Sequence, residues 1–308
     1  MASDRAPMGT GVDDVWGRLT VGSQQAVERL HAKSIVLSRP GGMMVCAGLL
    51  QYWFERRMTD AIPPQIHRAT SGRTYKGIPV HAAPGLHESV IEEIRACPTT
   101  AGKRVLELGC GSGALTQRLA EDGFEVRAVD LTLDGYRAEA EAQAMDLNTD
   151  FTDRLGDRNY DLIVAVELLE HLENPHHFLR QVTKLMSPET RLWLSFPNLH
   201  LYLSTWKFLR DTSFISWDIH QYWETGHQTL LPGWLFEQHV KKAGLAVEDK
   251  VYVAPLDLRL AHPNPLKRLV SFTILAIIRM LTPDVSRAQR LANCVLYRIS
   301  LTTVAKPS

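Results

Sequence analysis

Between residues 84 and 200, short apolar runs alternate with stretches of helical spacing every ~20 to 30 residues, a pattern that predicts βαβ units around a parallel sheet. The runs are Arg104–Leu108, Glu125–Val129 closed by Asp130, a third ending on Met145-Asp146, Tyr160–Val166, and Leu192–Phe196. Helical spacing covers Leu86–Cys97, Ala114–Glu121 and Pro175–Leu185, with Pro175 at a helix start where its missing N–H is not needed. Past residue 200 come a helix over Leu235–Ala243, stopped by Gly244, and two strands at Val247–Val253 and Cys294–Leu301.

Residues 1–83 have a different texture. Apolar clusters such as Met43–Phe54 fall at helical spacing and are broken by Gly41-Gly42, Pro63-Pro64 and Ser71-Gly72, which predicts a helical N-terminal accessory region. Residues 84–308 then form the main domain, interrupted by a cap over 199–234 and an insertion over 254–293. With 34 basic and 34 acidic residues the net charge is zero. The excess of Lys and Arg expected of a nucleic-acid binder is missing, so no nucleic-acid partner is expected. Cys46, Cys97, Cys110 and Cys294 are scattered and form no C-x-x-C pair, and neither an apolar leader nor a run of ~18 apolar residues is seen. A cytoplasmic protein is expected.

The chemistry gathers around Gly109-Cys-Gly-Ser-Gly113, between the first predicted strand and its helix. Glycines there let the backbone bend tightly and approach a ligand. The spacing alone also satisfies a loosened dinucleotide fingerprint, with Asp130 about 20 residues on as a ribose-binding acid, so a nicotinamide oxidoreductase stays open. Glu107 separates the readings. A carboxylate two residues before the glycines, inside a strand, suits a cationic ligand better than a pyrophosphate. S-adenosylmethionine carries positive charge on its sulfonium and its amino group.

Val105-Leu-Glu-Leu-Gly-Cys-Gly-Ser-Gly113, Ala128-Val-Asp130, Met145-Asp-Leu-Asn148, Val166-Glu-Leu-Leu-Glu-His-Leu172 and Phe196-Pro-Asn198 together resemble the successive motifs of class I S-adenosylmethionine-dependent methyltransferases. The nearest branch holds quinone-pathway O-methyltransferases and many sugar and natural-product methyltransferases. Gly226-His227 followed by Thr229 is similar to that branch too. The resemblance implies a Rossmann-like doubly wound, mainly parallel seven-stranded sheet with an antiparallel last strand. It implies methyl transfer to an oxygen of a small-molecule acceptor such as a sugar, quinone or natural product; a non-catalytic cofactor-binding module is the alternative from another class. It further implies that Gly109, Gly111 and Gly113 line the methionine part of the cofactor and that Glu107 bounds its amino end. Asp130 would accept from both ribose hydroxyls, with Leu131 beside it; Asp146 and Leu147 would flank the adenine, and Glu167 would border the site. Between Asp130 and Met145 the chain departs from the family pattern, because the usual helix is shortened.

Methyl transfer from a sulfonium needs alignment, exclusion of water and sometimes a base. His171 and His227 are the candidate bases. Glu167, Glu170 and His171 have a spacing that would share a helix face and hold a divalent cation, but an acidic helix start favoured by the dipole explains them as well, and no metal is assigned. Aromatic residues from Trp206 to Trp234 are expected to cap the site, with His220 and Tyr222 within reach of the acceptor. The apolar segment Leu266–Leu281, with Lys267, Arg268 and Arg279, suits either a peripheral membrane contact or a buried accessory helix or homodimer contact. Burial or a dimer contact is the expectation.

Overall fold

The computed structural model describes residues 73–97, 104–156, 160–255 and 263–302. A hairpin of β1 (Thr74–Tyr75) and β2 (Ile78–Pro79) precedes α1 (Leu86–Ala96). Then follow β3 (Arg104–Leu108), α2 (Ala114–Glu121), β4 (Glu125–Asp130), β5 (Glu141–Ala144), α3 (Thr152–Leu155) and β6 (Leu162–Val166). A single 3-10 turn over Leu169–His171 leads to α4 (Pro175–Leu185) and β7 (Arg191–Pro197). The last part holds α5 (Tyr202–Asp211), α6 (Ile219–Thr225), α7 (Gly233–Lys242), β8 (Leu245–Pro255), α8 (Pro265–Leu281), α9 (Arg287–Leu291) and β9 (Ala292–Leu301). The described residues lie within one unit.

Seven strands form one sheet in the order β5-β4-β3-β6-β7-β9-β8. The first five are mutually parallel. β9 runs antiparallel to both β7 and β8, so it alone is reversed, as the resemblance implied. Strand order turns back between β3 and β6, and the crevice beyond their carboxyl ends is where open α/β sheets receive ligands.

Successive side chains of each strand leave by opposite faces, and the core divides accordingly. Leu106, Leu108, Ile163, Ala165, Leu192 and Leu194 pack against Phe178 and Val182 of α4 and Phe236 of α7. Val105, Leu162, Val164 and Trp193 pack against Leu86 and Val90 of α1 and Leu115 of α2. With helices on both faces, the strands read as continuous apolar runs.

Three expectations change. Residues 73–80 form a β-hairpin, not a helix: Lys76 and Gly77 both take positive φ (49° and 82°), the two-residue turn that matches strand twist. The helical clusters read upstream, Met43–Phe54 among them, lie outside the described residues. Next, the crossover from β4 to β5 contains no helix at all. Too few residues join those strands, and the third strand accordingly ends at Ala144, one residue before Met145-Asp146. Lastly, the segment read as 266–281 is a full helix begun by Asn264, whose side chain accepts from Leu266 N and Lys267 N, with Pro265 in the first turn. It is not a buried core helix: only Ile274 and Ile278 are buried, against Leu201, Tyr202 and Leu203.

Candidate active site

β3 delivers the chain to the glycine turn, where Gly109 N and Cys110 N both donate to Val129 O at the end of β4 (2.8 and 3.1 Å). Gly109, Gly111 and Gly113 all have positive φ, yet only one faces open space. A Cβ at Gly109 would lie 3.0 Å from Leu168 Cδ1, and one at Gly113 would lie 2.8 Å from Ala138 Cβ; one at Gly111 meets nothing within 4 Å. Gly109 and Gly113 therefore serve the protein's own packing. Gly111 is the position where an added side chain would enter open space.

Beside the turn, Glu107 is buried in β3 and its Oε2 has no hydrogen-bond partner among the described residues. Burial, with the Asp130 carboxylate adding to it, pushes its pKa up to about 8. A cationic group at this spot would supply the missing partner. Asp130 closes β4 with Oδ2 accepting from Gly111 N (2.7 Å) and Oδ1 from Leu131 N (2.7 Å), so it holds the turn in shape and keeps further lone pairs for hydroxyls. Leu131 itself is 65% exposed. Asp146 Oδ1 accepts from Asn148 N and Nδ2, which shapes the loop after β5. The Leu147 side chain is buried in the core beside this loop.

β6 ends at the opposite side of the crevice. Glu167 takes φ 53°, which turns the chain off the strand at once, and the E-x-x-E-H run is a 3-10 turn in place of the expected helix face. Glu167 is thereby directed to Cys294 of β9, whose thiol hydrogen-bonds its carboxylate; burial pushes Glu167 up to about 7. Glu170 is buried with neither carboxylate oxygen partnered among the described residues. Burial raises it well above the usual range, and Glu167 nearby adds to the rise.

His227 reaches this turn from afar. α6 stops at Gly226 in the left-handed conformation, and the next residues are laced to the 3-10 turn: Gln228 N and Thr229 N donate to Glu170 O (2.9 and 3.0 Å), and Gln228 Nε2 to His171 O (2.6 Å). The His171 and His227 rings meet edge to face, 4.7 Å between centroids. His227 Nδ1 lies 2.8 Å from Ser216 O, and because a carbonyl oxygen only accepts, Nδ1 carries a proton and donates it there. Burial lowers the His171 pKa, which favours neutral imidazole. Glu170, His171 and His227 each offer a ligand atom within 4.8 Å of the others, a mixed N and O set that suits a divalent cation or a shared proton.

Past the carboxyl end of β7 a pocket of about 220 Å³ is lined by Phe196, Asn198, His200, Trp234, Lys250 and Tyr297 among others. The cap behaves differently from its sequence. His220 and Tyr222 point to solvent, because α6 buries only Gln221, and Trp223 (76%) and Trp234 (67%) are exposed too. The hairpin is a participant that sequence reasoning missed: Ser112 Oγ donates to Pro79 O, and Arg137 Nη1 to Gly77 O (3.4 Å). Tyr75-Lys-Gly77 was the available signal.

A family model described as a methyltransferase domain matches residues 83–250, more than half of the chain. The chain belongs to that family. Relatives of this methyltransferase domain include the ubiquinone biosynthesis O-methyltransferase of Coxiella burnetii, 33% identical over 104 residues, covering 32% of this chain and 44% of the relative. The enzyme of the same name from Bordetella avium is 30% identical over 132 residues, covering 40% of this chain and 52% of the relative. The chain spans about half the length of the curated relatives it matches. Among solved structures, an S-adenosylmethionine-dependent methyltransferase from Archaeoglobus fulgidus superposes over 70% of this chain and 94% of its own, with 18% identity and a TM-score of 0.49. Among the described residues, no helix is long and apolar enough to cross a membrane.

Proposed function

We propose that the chain is an enzyme that moves a methyl group from S-adenosylmethionine to an oxygen of a small-molecule acceptor, a sugar, quinone or other natural product. The observation that carries this reading is Glu107, a buried carboxylate with an unpartnered oxygen beside the glycine turn, at the sheet's switch point. When bound, the cofactor supplies an electrophilic methyl on a sulfonium, whose departure as a neutral thioether needs no acid. Glu107 offers its carboxylate to the cationic end, Gly111 leaves room, and Asp130 offers lone pairs to ribose hydroxyls. Leu131 would stand beside the ribose, and Asp146 and Leu147 would flank the adenine.

For an acceptor hydroxyl, His227 Nε2 accepts the proton as the oxygen attacks, while Ser216 O holds the ring through Nδ1. His171, held against it, fixes the ring plane. Free thiols at Cys97, Cys110 and Cys294 support a cytoplasmic setting. The balanced charge supports a small molecule over a nucleic acid as partner. The relatives' names support oxygen as the methylated atom. A second reading places a divalent cation on Glu170, His171 and His227 to hold the acceptor oxygen; the two unpartnered oxygens of Glu170 favour it.

Calorimetric titration with S-adenosylhomocysteine and, separately, NAD tests the cofactor. Binding of the first and not the second is expected; the converse would make the chain a nicotinamide oxidoreductase. Transfer of labelled methyl to catechols and sugars then distinguishes an enzyme from a binding module.

A further inference from the structure

α8 is anchored by one narrow stripe. Ile274 and Ile278 are buried and Val270 and Leu275 partly so, all against α5. The other side of the helix carries Leu266, Leu269, Phe272, Ala276, Ile277 and Met280. At about 100° per residue these positions span roughly 140° of the circumference. Leu269 is 62% exposed, Phe272 51% and Met280 82%. Thr273, the polar residue within that arc, turns its hydroxyl back to Leu269 O (3.0 Å), so no donor is left facing outward. Arg268 and Arg279 border the arc next to Phe272, and Lys267 stands at the first turn. No acidic residue occurs from Pro265 to Leu281, although the whole chain is electrically balanced. None of the three cations has an ion-pair partner among the described residues.

We infer that this face docks α8 flat on an anionic lipid surface, with the apolar arc in the headgroup boundary and Arg268 and Arg279 on lipid phosphates. A helix of this length lies along the surface, since it is too short and too polar at one edge to span. Charge decides against a second copy. A two-fold contact would set the face against itself, and with cations and no anions on it the edges would repel. This reverses the expectation from sequence, which favoured burial or a dimer; the exposed arc was invisible until α5 showed which stripe it covers. The inference does not depend on the methyltransferase reading, because the readout is binding without turnover.

The test is flotation of the full chain with vesicles of phosphatidylcholine and phosphatidylglycerol, against phosphatidylcholine alone, at low and high salt. Wild type is expected to float with the mixed vesicles, and high salt to weaken it. Arg268→Gln with Arg279→Gln should weaken binding roughly 30-fold, at the contribution expected of two surface cations. Leu269→Ser, Phe272→Ser and Met280→Ser combined should abolish flotation. All three side chains are exposed, so circular dichroism and S-adenosylhomocysteine affinity should stay unchanged. Wild type remaining in the soluble fraction at low salt overturns the inference. So does a triple variant that still floats, or one that changes only from dimer to monomer in sedimentation.

Discussion

The glycine turn after β3 and the histidine cluster after β6 occupy neighbouring positions on one sheet edge, yet they are built in opposite ways. The turn is made of backbone, with one open position at Gly111 and a lone buried carboxylate at Glu107. The cluster is made of side chains, drawn from the 3-10 turn after β6 and the loop after α6, with Glu167 and Cys294 behind them. Leu168 joins the two, for it packs over Gly109 while lying between Glu167 and Glu170. Backbone gives a rigid cradle, whereas side chains such as histidine can accept and pass on a proton. The difference separates binding from turnover, and substitutions should separate them again.

The largest effect is expected at Gly111. Gly111→Val should abolish binding of S-adenosylhomocysteine in calorimetry, since the branched side chain fills the open space, while the ligand-free protein still folds at a cost of ~1 to 2 kcal/mol for left-handed backbone. Normal affinity in a folded Gly111→Val variant would remove the turn from the site. Gly113→Val is the contrast, because its Cβ would strike Ala138 and it should fail as a fold before it fails as a site.

On the other side of the comparison, His227→Ala should lower turnover by about 10²- to 10⁴-fold with cofactor affinity preserved. A fall of less than roughly tenfold would leave His227 as a structural link between α6 and the 3-10 turn. Running His171→Ala in parallel identifies the ring nearer the proton.

The smallest effect is read through pH. Glu107 has its folded pKa raised to about 8, so it costs nothing below the ordinary carboxylate pKa and progressively destabilises the ligand-free fold as pH rises from there to about 8. Glu107→Gln should therefore be more stable than wild type above that window, by on the order of a few kcal/mol in denaturant titrations. Binding of a cationic ligand favours the ionised form. At pH 7 wild type should release a proton on binding, detected as a buffer-dependent heat, and the Gln variant should release none. Equal heats in all buffers for wild type would sever Glu107 from the ligand.

The two regions also differ in how much of them can be read along the chain. Gly109, Gly111, Gly113, Glu107 and Asp130 lie within one βαβ unit, and the hydrogen bond from Gly111 N to Asp130 crosses only 19 positions. Local spacing therefore predicts the contacts. Glu170 and His227 were both visible as residues, but their meeting depends on a 57-residue span that ends in the Gly226 turn. Periodicity predicts a helix face for Glu167 because a non-glycine residue just after a strand leaves no mark of a positive φ in the sequence.

The missing crossover helix between β4 and β5 bears on how long a bound product stays. In its place stands a loop whose few ties include Arg137 N to Ser112 O (2.9 Å) and the packing of Tyr136 and Ala138 over Gly113. A wall of this kind opens by breaking a handful of contacts, without melting a hydrogen-bonded cylinder. On the proposed reading, product release is expected to follow the fit of Tyr136 and Ala138 into the turn, and amides of this loop should exchange with deuterium far faster in the empty protein than in the occupied one.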